Sequence, residues 1–499
     1  MYLPATEERL KAFKLQFKIV DIMLREEEAR NIEPGGGCEM RKRTKIWIVV
    51  GILLSLLLSG CTLSGTSSLD LGKLTTLSNG FNLIYRQYPL EEKVLIGLVV
   101  KAGEAYTPKK LPGISHLLEH VIARGIIDEG QKELKDFQPY LDTNAYTGVT
   151  GVTYWLRCYP EEYEKALEIL KKNLISPDYS LLKEEKTRWI QEVRNVHYNP
   201  PGAIMHEIDR LLYQDHPFGN RGKGMELGQA PLTEVSSTPS VLEEFRSTFY
   251  TPGRMILVVL GPVEEVKAEV FSELCPGEKE VSLPPLLKGE QREITKNVVS
   301  SWSITYSIPN LQGTGTPSPS IEMQVVPSYL AMGWAGFPPE KKEAFDLLGT
   351  ILSNRLQSKM AETGLLGISS TMGIQLPLSF GIPSADLNAF QLLLTTETKD
   401  LSKLKEFVLQ TIKELKENLS TEELVGAALS QRANFSTLIA DPMNYLNLLA
   451  QYLPMLGFSY LQELPTKYEE VTLEDLKEAA VFLDENYALV FYQGSSFKQ

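Results

Sequence analysis

The chain has 499 residues, 43% hydrophobic and 23% charged, with a net charge of −13. That size and composition imply two or more packed domains and exclude wholesale disorder, while the acidic balance excludes a nucleic-acid partner, which needs a basic surface. The 4 cysteines, at positions 38, 61, 158 and 275, form no C-x-x-C pair, so neither a disulfide scaffold nor a thiolate zinc site is expected.

Met40 opens a basic stretch, Arg41-Lys42-Arg43-Thr44-Lys45, followed by a largely apolar run from Ile46 to Leu58 and then Ser59-Gly60-Cys61. The run falls short of the roughly 18 to 20 residues that span a bilayer, and the parts together predict a signal peptide over residues 40–60. Cys61 directly after Leu-Ser-Gly resembles the lipobox of bacterial lipoproteins. That implies lipidation at Cys61 and an extracytoplasmic place in a bacterial cell envelope, held to the membrane by a lipid anchor; the alternative is a simple N-terminal anchor. Residues 1–39 then precede a signal that belongs at an N-terminus, and are expected to be a non-native upstream extension or disordered chain. Residues 61–74, rich in Ser, Gly and Thr, read as a flexible tether.

Strands and helices alternate from there. Strands are expected at Phe81–Arg86, Val94–Val100 and Thr153–Cys158, and at the continuous apolar run Met255–Leu260. Helices are expected from Gly113 to about Arg124, ended by Gly125, then over Glu161–Leu174 and Leu181–Tyr198, with Asn199-Pro200-Pro201 as the final stop. Leu242-Glu243-Glu244-Phe245, Tyr250 and the run Met255–Gly261 recur about one domain length later as Leu473-Glu474-Asp475-Leu476, Tyr487 and Ala488–Gly494. Two similar domains account for this repeat; chance likeness of two helix-plus-strand units is the alternative. The expected layout is a first domain over residues 75–275, a Pro- and Gly-rich linker with some strand content over 276–327, and a homologous domain over 328–499.

Within the first of these helices, Gly113-Ile114-Ser115-His116-Leu117-Leu118-Glu119-His120 sets two histidines at i and i+4, one turn apart on one face. Imidazole nitrogens suit zinc, and a carboxylate beside an open coordination position takes a proton from water. Two solvated histidines are the bland alternative. With 5 histidines in 499 residues, chance yields H-x-x-E-H in under ~1% of such chains, which favours the metal. A third ligand is needed. Glu185 and Glu192 stand two turns apart on one helix face, with Glu192 at the border of the side marked as buried by Trp189, Val193 and Val196. Ordinary surface glutamates are the competing reading.

These residues, with Arg124-Gly125, Asn144-Ala145-Tyr146-Thr147, His216-Pro217-Phe218-Gly219, Gly224 and Thr251-Pro252-Gly253-Arg254-Met255, resemble the insulinase/pitrilysin-type inverzincin peptidases. The likeness runs from about Thr75 to Gly494. It implies an α+β chain of two homologous αβ domains of the mitochondrial-processing-peptidase-like metallohydrolase type, in a clamshell arrangement, with no metal in the second. It further implies zinc on His116, His120 and Glu192, Glu119 as general base, Glu185 as a supporting acid and Asn144 near the substrate backbone. The implied reaction is endoproteolysis of peptides or unfolded polypeptide. His197, His206 and His216 match no ligand position and read as structural or exposed.

The family's second domain usually brings an arginine and a tyrosine to the substrate, and Ala361 and Gly367 stand in those places here. Two readings follow: an enzyme completed by a homologous partner subunit that supplies the Arg/Tyr pair, or a non-catalytic peptide-binding scaffold of the same fold. A solute-binding lipoprotein, a third reading, leaves the metal residues unexplained. Cys158 and Cys275 are either paired or two free thiols.

Overall fold

Apolar runs with alternating side-chain directions set the architecture of residues 69–499, which form one compact unit. The computed structural model describes residues 69–108, 110–198, 200–213, 216–222, 238–264, 266, 268–274, 328–363, 389–396, 400–484 and 487–492. The signal, Cys61, Cys275, the linker with its expected strand content, and Gly367 lie outside the described residues.

In the first half, strands β1 (Lys73–Thr76), β2 (Asn82–Gln87), β3 (Val94–Val100), β4 (Thr143–Thr147), β5 (Val152–Cys158) and β6 (Met255–Gly261) form one sheet in the order β1-β2-β6-β3-β5-β4. All neighbours are antiparallel except β2 and β6. The helices are α1 (Ile114–Glu133), α2 (Tyr163–Ile175), α3 (Leu182–Tyr198), α4 (Pro200–Tyr213) and α5 (Pro239–Phe249). The second half adds β7 (Ser328–Ala335), α6 (Lys342–Thr363), β8 (Ala389–Thr396), α7 (Leu401–Glu417), α8 (Thr421–Ala440), α9 (Pro442–Tyr452), α10 (Gly457–Glu470), α11 (Leu473–Phe482) and β9 (Ala488–Tyr492), its sheet running β8-β7-β9.

The repeat noticed in the sequence has a topological counterpart. β3 lies between β6 and β5, antiparallel to both, and β7 lies likewise between β9 and β8. The repeated segment is α5 followed by β6 in one half and α11 followed by β9 in the other. The helix after the central strand is α1 in the first half and α6 in the second. α6 carries no histidine; its Arg355 is gripped by both carboxylate oxygens of Glu423 at 2.7 Å. Ala361 falls in the last turn of α6.

β3 is buried at all seven positions because both of its faces are covered. Val94, Ile96, Leu98 and Val100 pack towards α1, α2 and α5, whereas Leu95 and Val99 join Tyr445 and Leu446 of α9. The covering is reciprocal, since Ile204, Ile208 and Leu211 of α4 pack on Tyr329 and Ala331 of β7. Each central strand carries a glycine at this crossing: Gly97 leaves room for Leu446, and Gly333 for Leu212. A side chain at Gly97 must displace a fully buried leucine. Gly97→Val is expected to cost about 1–3 kcal/mol, the usual range for overpacking, measured as a lowered denaturant midpoint. Adding Leu446→Ala to that variant should recover part of the loss; strict additivity of the two changes contradicts the contact.

Two expectations need correction. Gly125 does not end its helix: α1 continues to Glu133, and the missing Cβ at Gly125 accommodates the Asn173 side chain of α2. The glycine is a packing notch rather than a stop. The Asn199-Pro200-Pro201 stretch does close α3 at Tyr198, but Pro200 also opens α4, a helix that the sequence reading did not anticipate. Proline is well suited to a first helical position, where its missing N–H has no partner to lose. Cys158 is a free, buried thiol, and burial pushes its pKa up to about 12.

Candidate metal centre

α1 starts after Gly113, whose φ of +81° lies in the left-handed region that favours glycine. A Cβ there also runs into the Trp189 ring on α3. This tight start lets α1 and α3 approach closely. His116 and His120 then face α3 with their rings 4.9 Å apart and their Nε2 atoms 3.2 Å apart. Glu192 reaches across from α3. Its Oε1 is 3.4 Å from Nε2 of His116, and its Oε2 is 3.2 Å from Nε2 of His120.

Three potential ligand groups therefore meet at separations of 3.2–3.4 Å. A tetrahedral ion with bonds of about 2.0–2.1 Å has ligand–ligand edges of roughly 3.3–3.4 Å, so the arrangement fits zinc in size as well as in donor type. Among the described residues, His116, His120 and Glu192 are the one group of three or more His, Cys, Asp or Glu side chains placed to hold a metal. Glu192 remains half open to solvent, with its side chain 53% exposed, and leaves the cluster accessible from that side.

Around the triangle stand further groups. The Trp189 indole nitrogen lies 3.2 Å from Nδ1 of His116, and Glu185 places Oε2 3.6 Å from Nδ1 of His120. Glu185 is buried and also faces Arg188 at 3.3 Å. Glu119 is buried, with Oε2 3.9 Å from Nε2 of His116, and that oxygen accepts a 2.9 Å hydrogen bond from the Thr147 hydroxyl. Thr147 is the last residue of β4, a strand at the edge of the sheet in its described order.

The charge balance favours a cation here. Burial opposes charging of His120, but hydrogen bonds to Glu185 and Glu192 outweigh it and lift its pKa to about 9. His116 behaves likewise: burial acts against its charged form, and Glu192 and Glu119 raise its pKa overall. Hydrogen bonds from His116 and His120 hold the Glu192 carboxyl far below the usual range. Burial pushes Glu119 upward, against the pull of the two histidines and Thr147. The acidic groups around the two imidazoles thus favour positive charge at this position.

The structure brings together His116, Glu119, His120, Glu185 and Glu192, all singled out in the sequence. Asn144 is exposed on β4, its Oδ1 accepting the N–H of Ala145, three residues from Thr147 and so on the opposite strand face. His206 is buried in α4, and Nδ1 of His216 accepts the N–H of Phe218; neither joins the cluster. The side chain of His197 lies outside the described residues. Sequence reading missed the parts played by Thr147 and Trp189. Period-two alternation along β4 and i+3 spacing from Glu192 on α3 were the signals available for them.

Comparison with known proteins adds family context. Residues 83–222 match the model of the insulinase family (peptidase family M16), and residues 236–431 match the M16 inactive-domain model. An uncharacterized zinc protease of Rickettsia felis is 26% identical over 371 residues, covering 72% of this chain and 82% of the relative. The mitochondrial-processing peptidase subunit beta of Saccharomyces cerevisiae is 26% identical over 227 residues, covering 44% of this chain and 47% of that protein. The crystal structure of a protease from Helicobacter pylori superposes with a TM-score of 0.65 at 18% identity, covering 84% of this chain and 99% of that one. At that identity the likeness is one of fold.

Proposed function

The chain belongs to the insulinase (M16) peptidase family, and from this premise we propose that it is a zinc-dependent endopeptidase acting on peptides and unfolded segments. His116, His120 and Glu192 hold the metal, and Glu119 is the base. The observation that carries this reading is the triangle of ligand groups at 3.2–3.4 Å with a buried carboxylate 3.9 Å away. Zinc at this position supplies Lewis acidity and lowers the pKa of a water. The chain's own groups do the rest. Glu119 takes the proton of the attacking water and passes it to the leaving amine nitrogen. Glu185 faces Nδ1 of His120 and holds that ring in orientation from behind, while the Trp189 ring packs edge-on against His116. An extended peptide adds to the sheet along β4 by main-chain hydrogen bonds, passing Asn144.

The proposal includes a homologous second subunit that contributes an arginine and a tyrosine, because Ala361 and Gly367 occupy the places where the family carries them. One relative bears the name of a subunit, which supports this part. The lipid-anchored envelope location, through Cys61, rests on the pattern from Arg41 to Cys61. Ala361 and Gly367 also favour the rival reading, a non-catalytic peptide-binding scaffold.

Incubation with a reduced, unfolded polypeptide separates the two. Cleavage should require zinc, stop with a chelator and return on adding the metal. Cleavage that persists after complete metal removal contradicts the zinc proposal, and a zinc-loaded protein inert alone and with a homologous subunit supports the scaffold. Thr147→Val is expected to lower kcat about tenfold or more, the usual effect of losing a hydrogen bond to a charged group, with KM and zinc content unchanged. Thr147→Ser should restore most of that loss. Equal kcat for the Val variant and wild type sinks this role.

A further inference from the structure

A second convergence of polar groups lies in the other half of the chain, among α6, α8, α9 and α10, and the peptidase reading makes no use of it. It is a cavity of about 250 Å³. Asp346 on α6 is part of its lining, and Oδ2 of that residue accepts hydrogen bonds from Nζ of Lys342 and from the Tyr468 hydroxyl at 3.0 Å. The Lys342 and Asp346 side chains are only 4% and 11% exposed. Withdrawing two charges from water is costly, and the fold keeps the pair where packing alone could use apolar side chains. A pocket with convergent polar groups and a perturbed buried carboxylate is a physical candidate for a ligand site.

The lining tells what kind of ligand. Lysine and aspartate cancel each other, so the cavity offers no net charge from this pair to an ion. The lining carries carboxamides, Asn434 on α8, which is half-buried, and Asn444 and Asn447 on α9, which are exposed. Carboxamides both donate and accept, as the hydroxyls of a sugar do. Tyr452 adds a buried aromatic ring to the lining, stacked on Tyr460 with the Lys342 ammonium over it. The volume is at the small end for ligand pockets and suits one ring rather than an extended peptide, which needs an open groove. We propose that this cavity is a binding site for a neutral sugar of about one hexose ring, with Asp346, Asn434 and Asn447 bonding its hydroxyls.

The test uses the purified zinc-loaded protein and saturation-transfer NMR with D-glucose, D-mannose, D-galactose and N-acetyl-D-glucosamine, with spermidine and inorganic phosphate as charged probes. Saturable binding of at least one sugar is expected. It should weaken about tenfold or more in Asn434→Ala and in Asn447→Ala, each losing a hydrogen-bonding group at the site. The thermal midpoint and metal content of both variants should match wild type, which separates loss of the site from loss of the fold. No saturable binding by any of the four sugars overturns the proposal. So does sugar binding that both variants leave unchanged, or displacement of the bound sugar by spermidine or phosphate. The peptidase reading stands or falls independently of these results.

Discussion

Glu119→Gln lowers kcat on an unfolded polypeptide by about 10²- to 10⁴-fold, the range that a positioned general acid–base supplies, while zinc still binds at one per chain. The substitution keeps the shape of a side chain that is buried at 6% exposure. Its amide oxygen can still accept from Thr147, which donates to Oε2 in the native chain. The ligand triangle of His116, His120 and Glu192 is untouched, because Glu119 stands 3.9 Å from the nearest ligand nitrogen. What disappears is the basic lone pair that accepts the proton of water. Initial rates over a substrate series, with zinc measured on the same samples, check this directly. A kcat within a few-fold of wild type contradicts the assignment of the base, and loss of zinc would place Glu119 among the ligands instead.

The second large effect is at a ligand. His120→Ala is expected to weaken zinc binding by well over about a hundredfold, and cleavage should fall with occupancy. The scale follows from outer partners of metal ligands, whose loss alone typically costs 10- to 100-fold; Glu185→Gln should fall in that range. His120 contributes one corner of the triangle and also faces Glu185, so its removal deprives a buried carboxylate of a partner as well. Chelator competition gives both affinities. Equal zinc affinity in His120→Ala and wild type places the metal elsewhere.

Much of this site was readable in the sequence because its logic is local. His116 and His120 share a face through helical periodicity alone, and Glu192 follows Glu185 by two turns on a helix whose apolar side is marked by Trp189 and Val193. The strands Val94–Val100 and Met255–Gly261 announced themselves as continuous apolar runs, since each is buried on both faces. The features that were missed depend on partners distant in sequence. Gly125 reads as a helix stop until Asn173 of α2 is placed against it. Gly97 and Gly333 look like weak points in strands until Leu446 and Leu212 arrive from the opposite halves. Thr147 stands in a quoted motif, yet its bond to Glu119 requires β4 to lie beside α1, and no periodicity encodes that.

The central claim is that two imidazoles and one carboxylate hold a single zinc. X-ray absorption at the zinc edge of the loaded protein tests it most directly. The account predicts one zinc per chain surrounded only by nitrogen and oxygen at about 2.0–2.1 Å, with the outer-shell scattering of two imidazole rings that falls to one in His120→Ala. A sulfur shell near about 2.3 Å, or a spectrum indifferent to His120→Ala, would contradict it.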